Sequence, residues 1–435
     1  MAGGRERAVV HGGRWTLDDR LERGLRELPV EVPPGTASLT VRLSYDADPG
    51  VIDLGCAGPG GFRGWSGGAR REFTIAPGWA TPGYLPGELE PGLWHVWLGL
   101  HRIPVDGLAY EVTATTSTTV PPPPDAPARP PVPERPPRRD LPARSGMRWL
   151  AGDLHAHTVH SDGTLTVHEL ACLAASRGLD YLAVTDHNTV GHHPELPAAA
   201  AYSGVILVPG QEVTTDLGHA NVFGPRSSAL SVAADVAAGG SPGESVGESA
   251  AEKLGWIDFR CPAEEWVAGA AAYGSLISVN HPLSGDCAWR QPLPEAARPR
   301  LAEVWHSAWW DRRWGAPLAW ARLWRPDVVP LGGSDYHDPA QHKLLGEPVT
   351  WVLAEDDDVL GGLAAGRTAV AAGRDAPVLL RVEDDLIAVG ADGTVLVRPD
   401  GRREVVRGDH YRTAAKADGM HRLESYENEV IALCG

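Results

Sequence analysis

Asp153-Leu154-His155-Ala156-His157 is followed by Ser161-Asp162-Gly163, Thr185-Asp186-His187-Asn188 and Gly210-Gln211-Glu212. His219, Asn280-His281-Pro282 and Gly333-Ser334-Asp335-Tyr336-His337 come after them. Each of these polar clusters follows a short apolar run that reads as a β-strand. Six histidines (His155, His157, His187, His219, His281, His337) and three carboxylates (Asp162, Glu212, Asp335) therefore stand at strand ends. A single His-x-His is weak, but nine potential ligands in this order form the pattern a polynuclear metal site requires. Imidazoles with carboxylates suit Zn²⁺, Mn²⁺ or Fe²⁺, and the lack of thiolates disfavours a structural zinc site. The chemistry implied is metal-dependent hydrolysis.

Other residues near these clusters have bland readings beside the functional ones. Asp153 and Asp186 adjoin ligands, as acceptors fixing histidine tautomers or as helix N-caps. His160, His168, His192, His193 and His342 read as surface or loop residues. His306 ends the run Ala302-Glu303-Val304-Trp305 and is a candidate substrate contact, with core or rim packing as the plainer role. Trp305, Trp309, Trp310 and Trp314 read as helix packing by default, or else as an aromatic substrate wall. Arg63, Arg70 and Arg71 surround Trp65, in and just after a Gly-rich loop from Gly60 to Gly68, and read as a solvated loop in the plainer case. Arg63 is the candidate clamp for an anionic substrate, because a guanidinium grips phosphate or carboxylate with two bonds.

These residues need a scaffold, and the sequence divides into segments that supply one. Residues 121–142 hold eleven prolines, a composition that favours a semi-rigid extended spacer. Upstream, Leu39, Val41, Leu43 and Tyr45 alternate with polar residues, and Trp94, Val96, Leu98 and Leu100 repeat the period of two. Alternation broken by Gly/Pro turns predicts an antiparallel β-sandwich over residues 1–119, with the linker at 120–145. Downstream, Thr166-Val167-His168-Glu169 predicts a capping box, Gly178 a helix end and Tyr181 to Val184 a strand. Pro262, Glu264, Glu265 and Gly274 predict another helix, feeding a strand from Leu276 to Val279. Repeated βα units with functional residues at strand C-termini predict an α/β barrel over 146–375. Residues 376–435, with Asp392-Gly393 and Asp400-Gly401 turns, predict a small β-rich appendage. Ser227 to Ala251 lacks periodicity and reads as a lid or an insertion.

Composition narrows the function classes. The 435 residues exceed what a single core of ~250–300 residues accommodates. A formal charge of −17 argues against nucleic acid as a partner. Five scattered cysteines without a Cys-x-x-Cys pair suggest reduced thiols. No run approaches the ~18 apolar residues of a membrane span, and no apolar leader follows the N-terminus. The expectation is a cytoplasmic protein, with no membrane partner, acting on a small and anionic substrate; the sequence does not indicate an oligomeric state.

The ordered set His155, His157, Asp162, His187, Glu212, His219, His281, Asp335 and His337 resembles the PHP (polymerase and histidinol phosphatase) superfamily, over roughly residues 147–345. The layout, with an N-terminal β domain containing Gly61-Phe62-Arg63-Gly64-Trp65-Ser66-Gly67-Gly68, resembles the CehA/McbA-type metallohydrolases. That resemblance implies a distorted (β/α)7 barrel and two to three divalent metal ions. It implies His155, His157 and Asp335 at a first metal, with Glu212 bridging to a second completed by His219 and His281. Asp162, His187 and His337 are implied at a third. Residue chemistry agrees, since a carboxylate can span cations ~3.5–4 Å apart, and two cations sharing a water yield a hydroxide near neutral pH. Asp335 is expected to orient that hydroxide or take its proton. The function expected is phosphomonoester or phosphodiester hydrolysis. Hydrolysis of a carbamate, amide or carboxylic ester is the alternative. A non-catalytic carbohydrate- or partner-binding protein with an inert barrel is the reading from another class.

Overall fold

Alternation in the N-terminal region does what its period dictates. In the strand Ser38–Tyr45 the apolar Leu39, Val41 and Leu43 are buried, while Arg42 and Ser44 face solvent. The structure, a computed structural model, describes residues 6–224, 250–416 and 418–435. Its first eight strands are β1 (Glu6–Trp15), β2 (Leu25–Val32), β3 (Ser38–Tyr45), β4 (Val51–Gly58), β5 (Gly61–Gly67), β6 (Glu72–Ile75), β7 (Gly92–Arg102) and β8 (Leu108–Ser117). They form two four-stranded sheets, ordered β1-β8-β3-β6 and β2-β7-β4-β5. Every pairing in them is antiparallel. One apolar cluster, with Val41 and Val112 from the first sheet and Leu54 and Val96 from the second, fills the space between them. The Gly-rich stretch expected to be a loop is instead strand β5, paired with β4.

The middle of the chain adds β9 (Met147–Asp153), β10 (Tyr181–Val184), β11 (Ile206–Thr215), β12 (Gly218–Phe223), β13 (Leu276–Val279), β14 (Leu301–His306), β15 (Val329–Gly333), β16 (Val349–Glu355) and β17 (Thr368–Ala371). Helices lie between several of them. Thr166 and Glu169 form the capping box that opens the helix Val167–Ser176, and Gly178 follows it with φ 73°. The helix Ala263–Ala272 likewise starts at Pro262 and is followed by Gly274. β9, β10 and β11 run parallel, as do β13, β14 and β15, while β12 is antiparallel to both of its neighbours. Six strands therefore present their C-terminal ends at one edge, and the reversed β12 presents its N-terminal end there.

A closed (β/α)7 barrel does not form among the described residues. The strands belong to an open thirteen-stranded sheet ordered β15-β14-β13-β12-β11-β10-β9-β16-β17 and onward into the C-terminal region. Where β15 approaches β16 and β17, threonine hydroxyls stand in for a backbone ladder. Thr350 Oγ1 accepts from Gly332 N at 2.7 Å and donates to Gly332 O at 2.9 Å, and Thr368 Oγ1 donates to Pro330 O at 3.0 Å. Pro330 has no N–H to offer a ladder. The C-terminal strands also depart from expectation. β18 (Val378–Val382), β19 (Asp385–Val389) and β22 (His410–Ala414) form a separate sheet, but β24 (Val430–Cys434), β23 (His421–Glu424), β20 (Val395–Val397) and β21 (Arg403–Val405) extend the large sheet through β17. Ser227–Ala251 lies, except for its last two residues, outside the described residues.

The proline-rich segment is strapped to the surface instead of spacing two bodies apart. Arg135 donates to Gly204 O and Leu179 O, Arg138 to Asp180 at 2.8 Å, and Arg139 to Ala376 O. The N-terminal sheets touch the ligand-bearing region directly. Phe62, Trp65, Leu85 and Trp97 pack with Val190 and Leu254, and Phe62 stacks on Trp256 at 4.1 Å. Gly83 joins the two regions through its backbone: its N–H donates to His160 Nδ1 at 3.0 Å, and its carbonyl accepts from Thr189 Oγ1 at 2.8 Å. Gly83 has φ 93°, and a Cβ there would lie 2.4 Å from the His160 carbonyl oxygen. Replacing Gly83 by Ala should therefore cost more than about 1 kcal/mol. A lowered Tm together with faster proteolysis within residues 120–145 is the expected outcome. Unchanged values for both would show that this contact does not hold the two regions together.

Candidate metal centre

The common strand edge gathers all nine expected ligands. His155 and His157 follow β9, His187 follows β10, Glu212 lies in β11, and Asp335 and His337 follow β15. His219 reaches the same edge because β12 is reversed, which sets it opposite Thr214. His281 and Asp335 adopt left-handed backbone conformations, with φ 26° and 52°. Such geometry is sparsely populated for residues other than glycine and persists only where surroundings enforce it. At His281 the enforcing contact is its N–H, which donates to Glu303 Oε2 at 2.9 Å.

Glu212 is the hub. Its Oε1 lies 3.3 Å from His155 Nε2, His219 Nδ1 and His281 Nε2, and its Oε2 lies 3.5 Å from His157 Nε2 and 2.8 Å from His187 Nδ1. Asp335 Oδ1 sits between two imidazoles, 3.3 Å from His155 Nε2 and 3.2 Å from His157 Nε2. A third focus forms where Asp162 Oδ1 approaches His187 Nε2 at 3.5 Å and His337 Nε2 at 3.2 Å. Among the described residues, ligand atoms converge in four overlapping groups: His155, His157 and Glu212; His187, Glu212 and His219; His157, Asp162, His187 and His337; and His155, Glu303 and His306. His155 Nε2, His157 Nε2, Glu212 Oε2 and His219 Nδ1 are buried without a hydrogen-bond partner. Buried polar atoms are normally paired, so orphans converging on shared points fit divalent cations.

The electrostatics fit the same picture. Burial, helped by His337 and His187, pushes the pKa of His157 down to about 4 and keeps it a neutral donor. Burial also works against charge on His187, yet Asp162 and Glu212 outweigh it and raise its pKa to about 10. For Glu212 and Asp335 burial opposes ionisation, but His155 and the other imidazoles hold both well below the usual carboxylate range. Both are anions at neutral pH.

The neighbouring polar residues do other work than expected. Asp153 caps no helix; it accepts from the backbone N–H of His155, Ser334 and Gly346, tying the β9 and β15 ends together. Asp186 accepts from Thr158 N and Oγ1 and from Ser161 N and Oγ, which fixes the turn between His157 and Asp162. It also faces His192 Nδ1 at 3.0 Å. His160, His192 and His193 are buried, contrary to a surface reading, because each bonds into this braced region or its backbone. His342 is exposed. His306 does reach the cluster: its Nε2 lies 3.4 Å from Asp335 Oδ2, and its Nδ1 accepts from Ala308 N at 3.1 Å.

Arg63 does not reach it. Its guanidinium donates to the carbonyls of Leu85, Gly87 and Glu88 and covers the Trp94 ring, so its donors serve the N-terminal sheets. Arg70 is the arginine that crosses over, donating to the carbonyls of Val159 and Ser161. Two site residues escaped the sequence reading. Glu303 lies 2.7 Å from His155 Nδ1 and fixes which His155 nitrogen faces the cluster. The signal available was an acid inside an apolar strand. Lys343 Nζ donates to Asp335 Oδ2 at 2.8 Å; it is one of only three lysines in the chain.

Metal loading should depend on Glu212 and compete with protons. Glu212→Gln should lose cations from the two groups that share it, seen as a fall in bound metal per chain; full retention would show that no cation depends on its charge. Since His187 is protonated near pH 8 without metal, Zn²⁺ binding there should release protons. Calorimetric enthalpies should then differ between buffers of different ionisation enthalpy, and identical enthalpies would contradict the protonated state.

Among the described residues no helix is long and apolar enough to cross a membrane. A Haemophilus influenzae protein named 5'-3' exoribonuclease is 39% identical over 64 residues, 15% of this chain and 23% of its own length. The 3',5'-nucleoside bisphosphate phosphatase of Chromobacterium violaceum is 43% identical over 70 residues, 16% of this chain and 25% of its own. The chain thus spans about a quarter of the length of these curated relatives. The exoribonuclease removes support for excluding nucleic acid on charge alone. A Bacteroides vulgatus crystal structure, described as a two-domain protein containing a predicted PHP-like metal-dependent phosphoesterase, aligns with 16% identity and a TM-score of 0.41, covering 69% of this chain and 98% of that one. Residues 153–250, which include six of the nine clustered residues, match the family model described as PHP domain.

Proposed function

We propose that the chain is a metal-dependent phosphoesterase acting on a small phosphomonoester or phosphodiester, nucleotides included. The observation that carries this reading is the pair of ligand groups that share Glu212, with Asp335 adjoining them. Neighbouring positive sites suit a phosphoryl group, whose charge is spread over several oxygens. Two to three Zn²⁺, Mn²⁺ or Fe²⁺ ions held by His155, His157, Asp162, His187, Glu212, His219, His281, Asp335 and His337 would acidify water and offset phosphoryl charge.

The chain's own residues do the rest. Asp335 is an anion with one oxygen toward His155 and His157 and the other held by Lys343, so it orients an attacking water and accepts its proton. Lys343 adds a positive charge beside the phosphoryl position. His306, with Nδ1 engaged by Ala308 N–H, presents Nε2–H toward the same position. Glu303 and Asp186 hold His155 and the 157–162 turn in register.

Metal-reconstituted protein should turn over phosphoesters in a panel of phosphomonoesters, phosphodiesters and aryl carbamates, and chelation should abolish that turnover. Asp335→Asn, nearly isosteric, should lower kcat by about 10²–10⁴ while the fold survives. Chelator-sensitive hydrolysis of the carbamates alone would overturn the phosphoesterase assignment, and an unchanged kcat in the variant would reduce Asp335 to a structural part.

A further inference from the structure

A cavity of about 340 Å³ opens directly beside the ligand cluster, within the range of small-molecule pockets. His281 and His306 belong to both. From these two residues the cavity runs outward along Pro282, Leu283, Trp309, Trp310 and Trp314. The tryptophans divide in a way that packing does not explain. Trp305 and Trp309 are buried core, whereas Trp310 is 85% exposed and Trp314 is 61% exposed. Two largely exposed indoles beside an exposed Leu283 are an unusual cost on the surface of so acidic a chain.

The charged groups lining this cavity are already committed. Asp311 is engaged by Arg313, at 2.9 Å, and Glu303 serves His155 and His281. Among the described residues, no Lys or Arg lines it. The wall therefore offers π-faces and aliphatic carbon with no free cation, which suits a neutral ring and not a second anionic group.

We propose that this pocket binds the alcohol portion of the substrate and takes a neutral aromatic group joined to the reacting phosphate by a short linker. The pocket's place at the flank of the cluster, with His306 at the junction, sets the ester oxygen between the two. The inference rests on the phosphoesterase reading for the identity of the reacting group only.

Two ligand pairs test it on metal-loaded full-length protein. 2-Phenylethyl phosphate and ethyl phosphate release primary alkoxides of the same class, so a difference in kcat/KM reports the ring. 2-Phenylethylphosphonate and ethylphosphonate report binding without any reaction. The phenyl member of each pair should be favoured roughly 10- to 100-fold, mostly in KM or Kd, as expected for burying one ring. Trp310→Ala and Trp314→Ala, at exposed positions where the fold has little to lose, should bring that ratio toward one. If neither ester is hydrolysed but the phosphonate preference appears and depends on the tryptophans, the pocket stands and the phosphoesterase reading falls. If ethyl phosphate is hydrolysed without preference for the ring, the reaction stands and the pocket assignment falls. A preference that survives both substitutions, or no detectable binding of either phosphonate, also overturns the pocket.

Discussion

The structure is organised around one buried carboxylate. Glu212 has no solvent exposure, and five imidazoles approach it within 3.5 Å. An isolated carboxylate in such a place would be prohibitively costly, so its surroundings must supply positive charge, as cations or as protons on histidine. Much of the local architecture follows from that constraint. Strands must deliver donors from several directions to one point, which is why six of them end at one edge and β12 turns back to add His219. Asn280 Nδ2 donates to Glu212 Oε1 at 2.8 Å and fixes the carboxylate's orientation.

Around this hub lies a layer of buried carboxylates that carry no exposed charge and bind protein donors. Asp153, Asp186 and Glu303 each tie segments that are distant in sequence, and each holds a histidine-bearing strand end at its distance. The N-terminal sheets join the same layer. Arg70 and Gly83 both bond to the turn between His157 and Asp162, so domain contact and ligand geometry are mechanically one matter. The exposed indoles of Trp310 and Trp314 lie past His306, in a cavity whose acids Glu303 and Asp311 are already paired.

The residues that gather at the strand edge were legible in the sequence because histidines and acids ending apolar runs have few structural reasons to recur in order. The helices and strands of the βα units were legible for local reasons: the capping box at Thr166, the left-handed Gly178 and the apolar run Leu276 to Val279 all act within a few residues. What did not follow was long-range. Nothing local to Pro330 and Gly332 shows that Thr350 and Thr368 hydroxyls replace a closing ladder, or that β24 extends the sheet. Arg63 reads as a free cation until three carbonyls fold back onto it. Glu303 and Lys343 lie outside the motifs and gain meaning only from what they touch, although an acid inside an apolar strand is a signal in itself.

The most direct test of this account is a crystal structure of the metal-loaded protein with inorganic phosphate, with cations located by anomalous scattering. Two or three cations are expected, each ~2.0–2.2 Å from histidine nitrogens or carboxylate oxygens of the cluster, with Glu212 in contact with two of them and phosphate spanning them. A single cation, or cations bound away from Glu212, would contradict the claim that this buried carboxylate organises a polynuclear hydrolytic centre.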